Sequence, residues 1–487
     1  HMSPRKSITT ILLLSITLFA AAQDNKWDLR KCVEYAMANN VSVKQADVQA
    51  RFAELISKQN RWQQQPNLNF TNSTGYQFGR SIDPTTNLFT TQQQLFQNYS
   101  LNANVTIYNW NRIKYEILSS NYNVKAAMAD VEKAKNDIAL AVATSFLQTL
   151  LTKEQVNIAE VQVSQTLAQL TNTRRRVTAG ALPELNALEL EAQLARDSST
   201  LVSAQTNEQL NLLQLKAQMN LDAATPFDIY IAFIDKIPVY TLGDMQPDAV
   251  YQLALTTQPA QQANALRLKS LDASLKSANA SKYPTLTGFA GLNTRFANAN
   301  KFTSATPTGL FSATSLKADV SGTLYDVKQP DFLLGTHKNA FFEQWDGWGT
   351  QLDRNFGQNI GLQINIPILN GGQSRNLIER AKLDLQNLSL TKEQTDNKLK
   401  QDIYQAYQAA VAALEKFNAN KKAVDVAQRT YDLATKRYEL NLLSTLDLIT
   451  NQNNLLKTKL DLATSHYDYI FKMKVLEFYK GQGLRLE

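Results

Sequence analysis

Between residues 66 and 108 apolar and polar side chains alternate with a period of two. Leu68, Phe70, Tyr76 and Phe78 fall on one parity; Asn69, Thr71, Ser73, Gly75 and Gln77 fall on the other. Further on, Tyr99, Leu101, Ala103, Val105 and Ile107 oppose Ser100, Asn102, Asn104 and Thr106. This predicts two strands, 66–80 and 97–108, each with one apolar and one polar face. The pattern returns over 356–368, where Phe356, Ile360, Leu362, Ile364 and Ile366 alternate with Gly357, Asn359, Gly361, Gln363 and Asn365. Over 284–296 it is poorer: Leu286, Ala290, Leu292 and Phe296 share a face, but Phe289 breaks the parity. The rest reads as helix. No Gly or Pro interrupts 113–178 or 374–440, so two helices of roughly 100 Å are expected at ~1.5 Å per residue. Shorter helices are expected over 29–62, 184–221, 247–281 and 444–479.

The same order of elements occurs twice. Residues from Leu29 realign without gaps on residues from Pro247, bringing Ala36 onto Ala254 and Pro66 onto Pro284, an offset of 218. Past Thr106, which meets Pro367, the offset is 261, and Arg174–Asn186 lies on Thr435–Asp447. The chain is a tandem duplication, with a first repeat over 23–245 and a second over 246–487. The 43-residue jump in offset marks one insertion in the second copy, within 297–355. That segment, with Phe302, Phe311, Phe332, Phe341, Phe342, Trp345 and Trp348, is too aromatic for disorder. It is expected at the outer mouth of the strands, folded over the opening.

A secretory signal settles the compartment question. Arg5 and Lys6 precede an apolar run from Ile11 to Phe19 and then Ala20-Ala21-Ala22, so 1–22 is expected to be cleaved before Gln23. With Arg5 and Lys6 gone, the formal charge falls from +7 by two, to +5. That excess is too small to imply nucleic acid. One Cys and three His leave no disulfide framework and no Cys- or His-based metal site. Gly-x-Ser-x-Gly, His-Glu-x-x-His and P-loop motifs are absent, so neither an enzyme nor a cofactor is expected.

Strands of 10–13 residues are long enough to cross a bilayer when tilted, which takes ~9–11. Trp62, Trp110 and Tyr283 sit where a headgroup-level girdle would be. Four strands cannot close a barrel, and open edges in lipid leave unpaired backbone groups. Eight strands would fill their own lumen, whereas twelve from a trimer leave a pore. The long helices carry apolar residues in two stripes, Val131, Ala134, Ile138 and Val142 on one and Ala139, Ala143, Phe146 and Leu150 on the other. Two seams suit a helix with neighbours on both sides. The alternative is a secreted coiled-coil structural or adhesin protein without a pore.

The duplication, the YPTL and PILNGG strand edges and the two hairpin tips (Arg176, Gly180 and Asn186; Arg437, Tyr438 and Asp447) together resemble the TolC-type outer-membrane efflux and secretion channels. The resemblance covers essentially the whole mature sequence. It implies a mainly α mixed fold, in which a trimeric 12-stranded transmembrane β-barrel continues as a periplasmic α-helical barrel. Residues 223–245, with the strand FDIYIAFI, would lie in an equatorial belt. It also implies a passive exit duct in the outer membrane, docked to a periplasmic adaptor and an inner-membrane pump. Gly180, Ala181, Leu182 and Pro183, with Asn441, Leu442, Leu443 and Ser444, would be the adaptor-docking tips. Asn441 departs from the family by replacing a customary glycine. The charges near the tips are gate candidates: Arg174, Arg175 and Arg176 in copy one, Asp425, Arg429 and Asp432 in copy two. Exposed ion pairs contribute only ~0–1 kcal/mol each, which suits a gate that opens reversibly.

Overall fold

The computed structural model describes residues 26–82, 89–90, 94–230, 241–298, 301–337 and 340–481. The expected signal segment 1–22 and residues 231–240 of the equatorial segment lie outside them. The first copy runs β1 (Lys26–Trp27), α1 (Leu29–Asn39), α2 (Val41–Trp62), β2 (Asn67–Gln77), β3 (Ser81–Ile82), β4 (Phe89–Thr90), β5 (Gln94–Tyr108), α3 (Arg112–Thr178), α4 (Glu184–Met219) and β6 (Asp228–Ile229). The second runs α5 (Pro247–Thr257), α6 (Pro259–Ala280), β7 (Thr285–Ala297), β8 (Lys301–Val320), β9 (Thr323–His337), α7 (Trp348–Arg354), β10 (Gly357–Asn365), α8 (Gln373–Glu439) and α9 (Thr445–Lys480).

The chain forms two compact units, and they are not the two repeats. One takes the chain up to Ser57, Leu118–Leu275 and the chain from Glu379; the other takes Lys58–Ile117 and Lys276–Ile378. In the second unit the four long strands form one sheet in the order β10-β7-β5-β2, antiparallel throughout. Its central pairing, β5 with β7, joins copy one to copy two, so neither repeat makes this sheet alone. The insertion adds a long hairpin, β8 with β9, closed by Ser321 and Gly322 at positive φ. Such a turn matches the right-handed twist of the strands it joins.

The helical unit carries the duplication in its core. Ala36, Val142 and Leu215 of the first copy and Ala254, Ile403 and Leu476 of the second are all 0% exposed. Each set anchors its own cluster, the first with Cys32, Phe146 and Leu150, the second with Met245, Val250 and Met473. Burying a side chain of this size contributes ~1.5–3 kcal/mol. Of the two apolar stripes expected on the first long helix, Val142, Ala143, Phe146 and Leu150 enter the first cluster, and Ile138 and Ala139 pack on its margin. Of the equatorial strand, Asp228–Ile229 pairs in parallel with Lys26–Trp27. Lys216 braces the chain beside it, its buried ammonium donating to the carbonyls of Ala223 (2.9 Å) and Thr225 (2.6 Å).

Two of the shorter helices expected to be continuous are broken. The first stops at Asn39 and restarts at Val41, the other stops at Thr257 and restarts at Pro259. Both linking residues are extended, Asn40 with ψ 135 and Gln258 with ψ 125. For Gln258 the following proline disfavours helical backbone. Asn40 has no such neighbour, and its side chain instead accepts the amide of Ser42 at 2.8 Å, an N-cap-like bond that restarts the helix.

Candidate functional site: a two-faced sheet and a pair of hairpin tips

The strand registers sort side chains onto the two faces of the sheet. On one face lie Asn98, Ser100, Asn102 and Asn104 of β5, opposite Ser73, Thr71, Asn69 and Asn67 of β2. Asn293 and Thr287 of β7 and Asn359 and Gln363 of β10 continue it. On the other lie Leu68, Phe70, Leu101, Ala103, Ala290, Leu292, Ile360, Leu362 and Ile364. Apolar side chains there stay uncovered, Ile360 at 88% exposure. Phe289, which broke the sequence pattern, is on the polar face. A Cβ added to Gly361 opposite it would stand 2.6 Å from the Phe289 ring, so glycine makes room for the misplaced aromatic.

Of the expected girdle, Trp110 and Tyr283 come together with ring centroids 5.1 Å apart, and Tyr108 adds an edge contact to Trp110 at 5.4 Å. Trp62, the last residue of α2, is exposed and shares no ring contact with them among the described residues. Trp110 adopts φ 53 where the matching residue of copy two is Gly371, at φ 60. Left-handed backbone costs an ordinary residue roughly 1–2 kcal/mol, so this aromatic is kept at a conformational cost.

The part of the insertion that follows the hairpin packs on the sheet. Its described contacts are on the apolar face. Trp345 stacks on Phe296 (6.1 Å, 7°), Trp348 Nε1 donates to Gln97 at 2.8 Å, and Tyr76 donates to Gln344 at 2.6 Å. Beyond the end of β10, Gln351 takes both backbone groups of Ala297, accepting its N–H at 3.1 Å and donating to its carbonyl at 2.9 Å.

At the tips, Gly180 (φ 72) and Asn441 (φ 59) both adopt the left-handed conformation expected after a helix end. The amides of Ala181 and Leu442 return to the carbonyls of Arg176 and Arg437, each 2.8 Å away. Ser444 then caps α9 by accepting the amide of Asp447 at 3.1 Å. The two tips meet side by side, because the Arg176 guanidinium donates to the side-chain oxygen of Asn441 and lies over the Tyr438 ring. Ala181 and Leu442 are exposed; Leu182 and Leu443 are half-buried, with Leu443 packed on the hairpin's own cluster. Pro183 precedes α4 with ψ 150 and no side-chain bond.

Of the candidate gate charges, Arg174, Asp425, Arg429 and Asp432 pair locally. Arg174 bonds Glu191 on its own hairpin, Asp425 bonds Arg429 at 2.9 Å one turn away, and Asp432 accepts from Gln428 at 2.9 Å. Within the protomer, no pair links the copy-two acids to the copy-one arginines among the described residues.

Sequence reasoning missed the polar contacts that bind the hairpins together. Thr173 and Tyr438 share a hydrogen bond of 3.0 Å, and Gln169 donates to Tyr431, whose phenol burial pushes upward. Further along, the buried Asp197 carboxylate accepts from Thr166 (2.6 Å) and Gln193 (2.8 Å), while Gln452 donates to Thr166 at 2.8 Å. These join α3, α4 and α9. In sequence such residues resemble a solvated helix face, and only their regular spacing along α3 hinted otherwise.

Among the described residues no group of His, Cys, Asp or Glu is placed to hold a metal, and no helix is long and apolar enough to cross a membrane. A sheet with one polar and one lipid-compatible face is what a strand-built membrane protein requires. The model of the outer membrane efflux protein family matches residues 33–221 and 349–477, and the chain belongs to that family. Outer membrane protein TolC of Escherichia coli (strain K12) is 28% identical over 124 residues. The efflux protein BepC of Brucella suis biovar 1 (strain 1330) is 26% identical over 122. These alignments span about a quarter of the length of the curated relatives, 25% and 27%. Likeness of fold extends further. A crystal structure of CusC superposes with a TM-score of 0.72 at 16% identity, covering 96% of each chain. The Campylobacter jejuni CmeC outer membrane channel gives 0.69 at 16% identity, covering 95% of this chain and 87% of that one. The protein is accordingly one of the outer membrane, reaching into the periplasm.

Proposed function

We propose that this chain is one protomer of a homotrimeric outer-membrane exit duct, passively conducting small molecules or polypeptides delivered by a periplasmic adaptor and an inner-membrane pump. The observation that carries this reading is the sheet. Its edges, β10 and β2, are antiparallel to their inner neighbours and run in opposite directions. The β10 edge of one copy therefore continues onto the β2 edge of the next with the same alternation. Three copies give twelve strands, with the Asn-, Ser- and Gln-bearing face enclosing water and the leucine and isoleucine face meeting lipid. In this reading Trp62, Trp110 and Tyr283 lie at the periplasmic interface, and Gly180–Pro183 and Asn441–Ser444 receive the adaptor. Arg174, Arg175, Arg176, Asp425, Arg429 and Asp432 re-pair between protomers to narrow the tip. The test is native mass measurement of the detergent-extracted protein together with conductance across a planar bilayer. A trimer with discrete conductance steps is expected; a water-soluble monomer without conductance overturns the reading.

A further inference from the structure

The part of the insertion that follows the hairpin lies athwart the apolar face of the sheet. Gln344 reaches Tyr76 on β2, Trp348 reaches Gln97 on β5, Trp345 stacks on Phe296 of β7, and the carbonyl of Leu352 accepts from Thr294 of β7 at 2.6 Å. All four of these sheet residues fall on the same face as Leu101, Leu292 and Ile360. The segment is stapled there by polar bonds, yet it presents Phe341 and Phe342 outward, at 70% and 87% exposure, with Trp345 and Trp348 beside them less exposed.

The composition of the face changes at this level. Below it the rows are mainly apolar: Phe70, Leu101 and Leu292 form one, ending on Gln358 of β10, and Leu68, Ala103, Ala290 and Ile360 form the next. At it they are mixed: Asn72, Tyr99 and Thr294 form one row, and Thr74, Gln97 and Phe296 the next. From Tyr108, beside the Trp110–Tyr283 pair, to Tyr99 is nine residue steps, about 31 Å along the strand at ~3.4 Å per residue. Tilted by ~45°, that is about 22 Å, close to the ~25 Å apolar band of a membrane barrel. The four aromatics therefore stand where the hydrocarbon ends on the side opposite Trp110.

We infer that Phe341–Arg354 is an outer-leaflet anchor, seating Phe341, Phe342, Trp345 and Trp348 in the headgroup and glycerol layer of the membrane. The occupant is lipid because the segment lies on the same face of the sheet as the apolar side chains, at the end of their rows. Tryptophan and its neighbours are stabilised at that depth, where an apolar ring meets hydrocarbon and a polar edge meets water. Copy one has no counterpart of this segment, so each protomer carries one anchor. The inference rests on the membrane reading of the sheet.

Spin labels separate the two. Single cysteines are placed at Phe342→Cys, at Leu362→Cys on the apolar face and at Gln363→Cys on the polar face, in the full chain reconstituted into phosphatidylcholine nanodiscs. Cys32 is buried and takes no label in the folded protein, which the unsubstituted chain checks. The ratio of collisions with oxygen to collisions with a water-soluble nickel chelate reads depth. Position 362 is expected to read as hydrocarbon, 363 as water and 342 as intermediate. If 342 reads as water while 362 reads as hydrocarbon, the anchor is overturned and the membrane reading stands. If 362 also reads as water, the membrane reading falls and takes the anchor with it. Phe342 is 87% exposed, so its replacement leaves the fold intact; Phe341→Cys repeats the measurement one residue away.

Discussion

The side-chain amide of Gln258 donates to the carbonyl of Phe478 at 2.6 Å, clasping the end of α9 from the break between α5 and α6. Copy one repeats the clasp: Asn40, in the break between α1 and α2, donates to the carbonyl of Gln218 at 2.7 Å. Carbonyls at a helix end have no partner within the helix, so each break supplies one. Gln258 is buried, and Gln258→Ala is expected to destabilise the protein by about 1–3 kcal/mol, leaving those carbonyls unmet. Asn40→Ala, at a more exposed site, should cost less. Urea unfolding of both variants checks the order.

Next to the second clasp, Gly481 ends α9 at φ 75, and a Cβ built there would stand 2.0 Å from the Thr257 hydroxyl oxygen. Gly481→Ala combines left-handed strain of ~1–2 kcal/mol with a clash. The matching residue of copy one, Asn220, has φ 58, so Asn220→Gly is expected to be neutral or stabilising. A fall in melting temperature for Gly481→Ala with none for Asn220→Gly would bear this out, and equal falls would contradict it.

Cys32 reports on the first core cluster. Burial pushes its thiol up to about 12, with Asp28 adding to the rise. A thiol pKa above its unfolded value of ~8.5 means that folding favours the protonated form. This contribution is complete below pH ~8.5 and is lost as pH climbs toward 12. Alkylation at pH 8 is expected only after denaturant unfolds the helices around α1. Rapid labelling of the native protein would show the cluster to be open.

Docking at the tips predicts a specific separation of effects. The side chains of Ala181 and Leu442 are exposed, and only their backbone amides hold the turns, whereas Leu443 packs inward. Ala181→Asp with Leu442→Asp should abolish export while the yield of assembled protein stays unchanged. Leu443→Asp should lower stability as well. Wild-type export by the Ala181/Leu442 double variant would remove these residues from the docking surface.

For the gate, the Asp425–Arg429 pair is exposed on both sides, so Asp425→Ala should change stability by less than ~1 kcal/mol. If these charges re-pair between protomers, Asp425→Ala, Asp432→Ala and Arg175→Ala channels leak more than wild type at low salt. The difference then shrinks as salt screens the pairs. Conductance equal to wild type at every salt concentration eliminates the gate.

How much was legible follows from the physics of each element. Strands β2, β5 and β10 were readable because their two faces meet different surroundings and the alternation is clean. Strand β7 was harder because Phe289 sits on the polar face, a choice that makes sense only once Gly361 is known to lie across from it. The break at Gln258 was announced by Pro259, yet proline is also tolerated in a first helical turn, so the signal was ambiguous. At Asn40 the break depends on a partner, Gln218, far away in sequence. The Thr166–Asp197–Gln452 contacts were invisible for the same reason: a polar residue on a helix is ordinarily solvated, and tertiary pairing leaves no local trace. The insertion was legible as ordered, but its side of the sheet was not, since Trp345 and Trp348 suit a lid as well as a lipid-facing brace.

The open edges of the sheet bear on how the protein is made. Strands β2 and β10 are the edges of the sheet and each leave a row of backbone N–H and C=O groups without strand partners among the described residues, and each such group costs several kcal/mol in hydrocarbon. In the trimer proposed above, a newly exported chain is thus barred from lipid until its two neighbours cover these rows, one each. In that reading membrane entry and assembly become a single concerted step, and a lone protomer keeps its apolar face out of lipid until its neighbours arrive.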